Sequence, residues 1–300
     1  MHRDRFSVVP SGHPSPLSYG LVALAAASWG TWPLILRAAQ RDAPMPAALQ
    51  SGLVLAVQLV VTGIAMGRDR VPVHASRRAW LAIAWIGVSD ALNCVLFFAA
   101  YQRTTVAIAV LTHYLAPLFV AVVAPLVLSE RARPRSWLAV GVGLAGLLLL
   151  LGPWSARLGA NDLTGALFGA ASAGFYASNI LVSKRIAGVF SASELLFFHN
   201  VVAVPLLLLA VPHETWGSLN ARGVGIVLCG ALGPGALAGL IFVGGLRKLP
   251  ASHASTLTLL EPLVAVVLGA AVLGETLGAT GVFGGVLILV GAWLVVASRR

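Results

Sequence analysis

Long apolar runs alternate with short polar connections along almost the whole chain, and each run is about the length that crosses a membrane. A helix rises about 1.5 Å per residue, so roughly 20 apolar residues cross the hydrocarbon core of a bilayer. The pattern predicts ten spans, numbered 1 to 10 in chain order, at residues 17–39, 46–66, 79–100, 104–128, 137–154, 163–183, 194–212, 222–246, 251–274 and 279–297. We therefore expect an all-α integral membrane protein.

Two stretches of the sequence are related at an offset of 145 residues: YLAPLFVAVVAPLVLSE (114–130) and LLEPLVAVVLGAAVLGE (259–275). They are identical at seven of 17 positions, and the same offset aligns spans 4 and 5 with spans 9 and 10. Span 1 aligns with span 6 at nearly the same offset. The sequence therefore predicts a disordered cytoplasmic tail at 1–16 and two five-helix repeats at 17–154 and 155–300.

The odd number of spans in each repeat determines how the two repeats lie in the membrane. Five spans end on the side opposite to where they began, so the second repeat is inverted relative to the first. Inverted repeats are typical of secondary transporters, in which the two halves exchange conformations and expose a central site to each side in turn.

Composition and charge agree with a membrane protein and set its orientation. The chain is 58% hydrophobic and only 10% charged, whereas soluble domains contain about 25% charged residues. The net charge of +10 does not indicate a nucleic-acid partner, because the basic residues are spread among the connections between spans. With the N-terminus inside, 15 of the 20 lysines and arginines lie on the cytoplasmic side, as the positive-inside rule requires. This predicts a multi-pass protein of the inner or plasma membrane with both termini cytoplasmic.

The residues of enzyme active sites and metal centres do not occur in recognisable patterns. Cys94 and Cys229 lie inside apolar spans, and the histidines and cysteines lack the spacing of a metal site. No nucleophile–base pair or cofactor motif is evident. We therefore expect no metal, no cofactor and no enzymatic activity.

Three short motifs resemble one known superfamily. These are SWGTWPLILRAA (28–39) and the two helix endings Pro117…Glu130 and Pro262…Glu275, each followed by a glycine-rich span. Over residues 17–297 the chain resembles the drug/metabolite transporter superfamily, and within it the ten-helix permeases built from two EamA-type repeats. The resemblance implies an export carrier for small metabolites. The extended polar N-terminus and His113 depart from the family pattern.

Glu261 is the most conspicuous polar residue within a span. It lies about ten residues into span 9, where insertion of an acid costs about 2.5–3.5 kcal/mol, and Thr258 shares its helix face. Pro262 has no N–H to donate to the Thr258 carbonyl oxygen, so we expect that oxygen to be free. In the first repeat, Ala116 occupies the position equivalent to Glu261. Glu261 is therefore a candidate for binding substrate or a coupling proton. The alternative is a protonated side chain that packs as a structural hydrogen bonder.

Span 3 contains a second candidate acid. Asp90 and Asn93 share one face of the helix, and Gly87 on the same side would let another backbone approach closely. The pair either lines a central cavity or bonds to a neighbouring span. Like Glu261, Asp90 is a candidate for reversible protonation, so protons are a candidate coupling ion.

Histidines and aromatic residues complete the set of candidate substrate contacts. His113 and Tyr114 lie at the midplane of span 4, and His199 lies near the start of span 7, where we expect it close to the cytoplasmic mouth. Trp29 and Trp32 lie inside span 1 rather than at its ends, and Trp29 is too deep for an interfacial role. Further candidates are Tyr176 and Asn179 in span 6. Structural hydrogen bonding or core packing is the alternative for each.

Three prolines and two further acids have predicted structural roles. Pro33, Pro117 and Pro262 are expected to kink spans 1, 4 and 9. Glu130 and Glu275 end equivalent spans on opposite sides of the membrane, and a gating or structural role is predicted for both.

These features predict a secondary transporter that moves a small organic metabolite by alternating access. Amino acids, weak bases and uncharged lipophilic compounds suit two buried acids better than a strongly anionic solute does. A channel or a non-transporting membrane scaffold is the main alternative, and an integral-membrane enzyme is less compatible with the sequence.

Overall fold

The computed structural model describes residues 14–67, 75–128, 130, 133–155 and 161–298. Within these residues the chain contains helices and no strand, and ten helical segments are long and apolar enough to cross a membrane. The predicted number of spans is therefore confirmed for the described part of the chain. The predicted tail at 1–16 lies almost entirely outside it.

Several spans consist of more than one helix. The helices are α1 (Pro16–Trp29) and α2 (Trp32–Ala39) in span 1, α3 (Ala47–Met66) in span 2, α4 (Arg77–Tyr101) in span 3, α5 (Val106–His113) and α6 (Ala116–Val127) in span 4, α7 (Pro134–Leu151) in span 5, α8 (Asp162–Arg185) in span 6, α9 (Ala192–Leu209) in span 7, α10 (Ala221–Gly230) and α11 (Ala238–Leu246) in span 8, α12 (Ala251–Leu257) and α13 (Leu260–Leu273) in span 9, and α14 (Ala279–Ala297) in span 10. Short 3₁₀ turns lie at Pro153–Ser155 and His213–Ser218.

The ends of span 5 differ most clearly from the predicted ones. The helix runs from Pro134 to Leu151 rather than over 137–154. Pro134 occupies the start of the helix, where its missing N–H needs no partner. Gly152 ends the helix in the left-handed conformation, with φ of 53°. Local backbone chemistry, rather than the apolar pattern, sets both boundaries.

Four spans are irregular near the midplane. The breaks between α1 and α2, α5 and α6, and α12 and α13 each lie a few residues before a proline, and Pro33, Pro117 and Pro262 fall in the first turn of the helix that follows. A proline lacks the N–H needed to continue the helical ladder. Span 8 has an irregularity that the sequence analysis missed, because Ala231–Leu237 winds as a π-helix around Pro234. The Gly-Pro-Gly sequence at 233–235 is the signal for it.

The packing of the spans repeats itself when the two halves are exchanged. Span 3 packs against span 6 as span 8 packs against span 1, and span 4 packs against span 6 as span 9 packs against span 1. Spans 2 and 7 pair with each other, as do spans 5 and 10. This is the arrangement expected of two inverted five-helix repeats.

Glycines allow the closest helix contacts in this arrangement. A Cβ atom at Gly146 in span 5 would lie 2.6 Å from the carbonyl oxygen of Gly284 in span 10. A Cβ atom at Gly87 in span 3 would lie 2.5 Å from the carbonyl oxygen of His199 in span 7. Spans 3 and 7 therefore approach closely enough to bring their polar side chains together.

Candidate functional site

A cavity of about 210 Å³ lies between the two repeats. Spans 1, 2 and 3 form one side of it, and spans 6, 7 and 8 form the other. Its wall is mostly apolar, and the polar side chains that reach it are Gln58, Asp90, Asn179, Ser183 and His199. A cavity shared by two inverted halves is where carriers of this architecture place their substrate.

Asp90 is the charged centre of this cavity. One of its carboxylate oxygens accepts a hydrogen bond from the Asn179 side-chain amide at 3.2 Å. The other lies 3.6 Å from Nε2 of His199. Because Asp90 belongs to the first repeat and its two partners belong to the second, this group of three side chains bridges the two halves.

The hydrogen bonding of His199 defines which ring nitrogen faces Asp90. Its Nδ1 lies 2.9 Å from the Leu195 carbonyl oxygen, and a carbonyl can only accept, so Nδ1 donates. Nε2 is left facing the carboxylate, and a neutral Nε2 would present a lone pair to it. A proton on Nε2 or on the carboxyl would turn this contact into a hydrogen bond between the two side chains.

A pair of amide side chains links the halves beside the cavity. The Asn200 amide donates to the Gln58 side-chain oxygen at 2.9 Å, and the Gln58 amide donates to the Gly235 carbonyl oxygen at 3.1 Å. All of these atoms lie in spans 2, 7 and 8. Gln58 was not among the predicted site residues, although a glutamine within an apolar span is itself a signal.

Aromatic rings form much of the remaining cavity wall. Trp29, Trp32 and Tyr176 line it, as the sequence analysis proposed for substrate contacts. The Trp29 ring also packs against Phe242, with ring centroids 4.9 Å apart. Trp29 therefore lines the cavity and packs in the core at once, and the two interpretations offered for it are compatible.

Glu261 lies outside this cavity, in a cluster of tyrosines. It is half-buried at the start of α13, and the hydroxyls of Tyr101, Tyr114 and Tyr176 are near enough to interact with its carboxyl. The Thr258 carbonyl, which the sequence analysis expected to be free, accepts the Glu261 amide N–H at 3.0 Å. The polar group available here is therefore the Glu261 carboxyl and not the Thr258 carbonyl.

His113 is a buried contact between spans 4 and 6. Its Nδ1 lies 2.8 Å from the Ser172 hydroxyl oxygen, and that hydroxyl donates to the Gly169 carbonyl oxygen. Its ring stacks on Tyr176 with centroids 5.5 Å apart. Tyr176 therefore forms a common wall between the Asp90 cavity on one side and the His113 and Glu261 clusters on the other.

The remaining predicted residues lie away from the cavity. Asn93 does not line it, and the Asn93 side-chain oxygen is buried without a hydrogen-bond partner among the described residues. Glu130 accepts a hydrogen bond from the backbone N–H of Ala251, and Glu275 forms an exposed ion pair with Arg37. Within the part of the chain that the structure describes, no group of three or more metal-ligating side chains comes together.

The sequence of both halves of the chain matches one known protein family. Residues 16–152 and 163–297 match the EamA-like transporter family, one match for each half of the chain. The chain belongs to the EamA-like transporter family.

Relatives of this EamA-like transporter are themselves named as transporters. An uncharacterized transporter of Archaeoglobus fulgidus is 32% identical over 216 residues, which cover 69% of this chain and 74% of the relative. The uncharacterized transporter YwfM of Bacillus subtilis is 28% identical over 284 residues, 93% of each chain. A crystal structure at 19% identity superposes with a TM-score of 0.79 over 93% of this chain and 98% of the other, and shows the same fold.

Proposed function

We propose that this EamA-like transporter exports a small amine-bearing metabolite, such as an amino acid or a weak base, by alternating access. The observation that supports the proposal is the Asp90 carboxylate in a mostly apolar cavity shared by two inverted halves. The proposed setting is the cell membrane with both termini cytoplasmic. The distribution of lysine and arginine supports this orientation, and the superfamily resemblance supports export.

The size and lining of the cavity support a small substrate with one charged group. Pockets for drug-sized ligands occupy about 300–1,000 Å³, so a cavity of about 210 Å³ suits a smaller molecule. An ammonium group would replace the His199 contact at Asp90. The faces of Trp29, Trp32 and Tyr176 would receive the apolar body of the substrate or stabilise its cation.

Protons are the proposed coupling ion. A proton held between Asp90 and His199 would compensate the negative charge of the carboxylate. A substrate ammonium group beside Asp90 would compensate the same charge, so the proton could leave. Substrate binding and proton release would then be linked at one site. Glu261, whose carboxyl interacts with the Tyr114 hydroxyl, is a second proposed proton-binding group at the seam.

Counterflow with purified protein in liposomes tests the proposal. A panel of labelled amino acids, amines and uncharged metabolites is offered at two pH values, and we expect saturable exchange of an amine-bearing solute. Asp90→Asn should weaken binding roughly tenfold to hundredfold, because a hydrogen bond to a charged group contributes about 1.5–3 kcal/mol. Asp42→Asn is the matched control, since Asp42 forms an exposed pair with Arg222.

Other outcomes would separate the rival functions. Rapid flux that does not saturate would indicate a channel, and no flux of any solute would indicate a scaffold. Saturable exchange that Asp90→Asn leaves unchanged would contradict the assignment of Asp90 while leaving transport itself intact.

A further inference from the structure

The two ends of the seam between the repeats are packed very differently. We call the side where span 1 begins and span 10 ends the terminal face. At this face α6 packs against α12, whereas the corresponding pair on the opposite face, α5 and α13, is hardly in contact. Six of the seven residues of α12 are buried, but only two of the eight residues of α5. The seam is closed at the terminal face and looser at the opposite face.

Glu130 forms one of the hydrogen bonds that join the repeats at the closed end. The Glu130 carboxylate, from the end of span 4, accepts the backbone N–H of Ala251 at the start of span 9, at 2.9 Å. The first N–H groups of a helix have no partner within the helix, and negative charge is favourable there. A side chain of the first repeat thus satisfies the backbone of the second. Ala251 itself is fully buried.

The 145-residue offset gives each of these residues a counterpart on the opposite face. Glu130 corresponds to Glu275, and Ala251 corresponds to Val106. The equivalent contact is not made: Val106 is 61% exposed, and Glu275 instead pairs with Arg37 at 3.2 Å with 56% of its side chain exposed. The sequence contains the acid for both contacts, and the structure forms only one of them.

We propose that Glu130 and Glu275 are alternating latches, one for each face of the membrane. Glu130 closes the terminal face by holding the start of span 9. When the halves exchange conformations, Glu130 releases Ala251, and Glu275 leaves Arg37 to accept the N–H of Val106 at the start of span 4. The inference rests on the proposed alternating-access function and assigns its two gates.

Further contacts of α12 explain why the terminal face is the closed one. His253 accepts or donates at both ring nitrogens, with the Tyr19 hydroxyl 2.7 Å from Nδ1 and the Ser136 hydroxyl 3.1 Å from Nε2. The offset places Ile108 opposite His253 in the first repeat, and isoleucine cannot form such bonds. The terminal-closed state therefore has polar contacts that the alternative state cannot reproduce.

The labelling of cysteines introduced at two equivalent positions reports which face of the protein is open. Ser255→Cys in α12 and Val110→Cys in α5 are related by the same offset, and each is made in a background with Cys94 and Cys229 replaced by alanine. A membrane-impermeant thiol reagent is applied to sealed vesicles of both orientations. In the parent protein we expect protection of Ser255→Cys from the terminal face and labelling of Val110→Cys from the opposite face.

Three latch variants give different expected results. Glu130→Ala should raise the labelling of Ser255→Cys from the terminal face about threefold to tenfold, the range of a lost helix cap. Glu275→Ala should lower it, because the terminal-open state loses its latch. Arg37→Ala breaks the same ion pair as Glu275→Ala but frees the acid, so labelling should rise.

The opposite signs of the last two variants make the proposal falsifiable. If Glu275→Ala and Arg37→Ala change labelling in the same direction, Glu275 acts only through its ion pair and the latch is wrong. If Glu130→Ala raises labelling equally at both reporters, it loosens the fold instead of opening one face. Glu275 is exposed, so its variant should fold normally. Labelling needs no substrate, so this result is independent of the counterflow assay for transport.

Discussion

Replacing Gly87 by alanine tests whether the close contact of spans 3 and 7 holds the Asp90–His199 pair together. The new Cβ would lie 2.5 Å from the His199 carbonyl oxygen and 2.6 Å from Cβ of Val202. Ordinary contacts begin at 3.4 Å, so one helix would have to withdraw by nearly 1 Å. Neither neighbour is the end of a flexible side chain, and the strain cannot be relieved by a rotamer change.

The expected cost follows from this overlap. Overpacking a close contact destabilises a protein by about 1–3 kcal/mol, which lowers the midpoint of thermal unfolding by roughly 2–10 °C. The shift also lengthens the 3.6 Å separation between Asp90 and His199, so transport should fall more than stability alone explains. The midpoint is measured by size-exclusion chromatography after heating in detergent, and transport is measured by counterflow.

Gly141→Ala is the matched control for Gly87→Ala. Gly141 also lies within a span, but a Cβ there meets no atom within 4 Å. The control should leave both midpoint and transport unchanged. An unchanged midpoint in Gly87→Ala would refute the reasoning about the helix contact, and a lowered midpoint with full transport would refute its link to the cavity.

Three further predictions concern protons and packing. Glu261→Gln should abolish any pH dependence of transport that arises at the tyrosine cluster, and an unaltered pH profile in counterflow would exclude Glu261 as a coupling group. Burial raises the pKa of Glu130, so its carboxylate takes up a proton at a higher pH than an ordinary glutamate does. Acidification should therefore weaken its contact and increase terminal-face labelling of Ser255→Cys, whereas Glu130→Gln should be insensitive to pH. Gly284→Ala should lower the thermal midpoint by several degrees, because its Cβ would lie 2.5 Å from backbone atoms of span 5; Gly141→Ala again should not.

The ten spans could be predicted because hydrophobicity is a property of each segment alone. The inverted repeat could be predicted because both copies still share enough residues, such as Pro117 with Pro262 and Glu130 with Glu275, to reveal the offset. The irregular span 8 was missed, although Pro234 lies between two glycines.

The partners of the site residues could not be predicted, because they lie on other spans. His199 was expected near the start of span 7, close to the cytoplasmic mouth, but the close approach allowed by Gly87 brings it to Asp90. Asp90 and Asn93 were expected to act together from one helix face. Only Asp90 reaches the cavity, because the neighbouring helices, and not the face alone, decide which side chain is enclosed. Spacing along one helix cannot give that information.

The amide bridge between Gln58, Asn200 and Gly235 limits how the two halves can move. Sliding one half past the other by a single residue would strand two side-chain amides and a carbonyl in hydrocarbon, where each unpaired group is costly. Rotation about the bridge would keep both hydrogen bonds. The bridge therefore opposes sliding of one repeat past the other along the membrane normal and permits the repeats to tilt relative to each other.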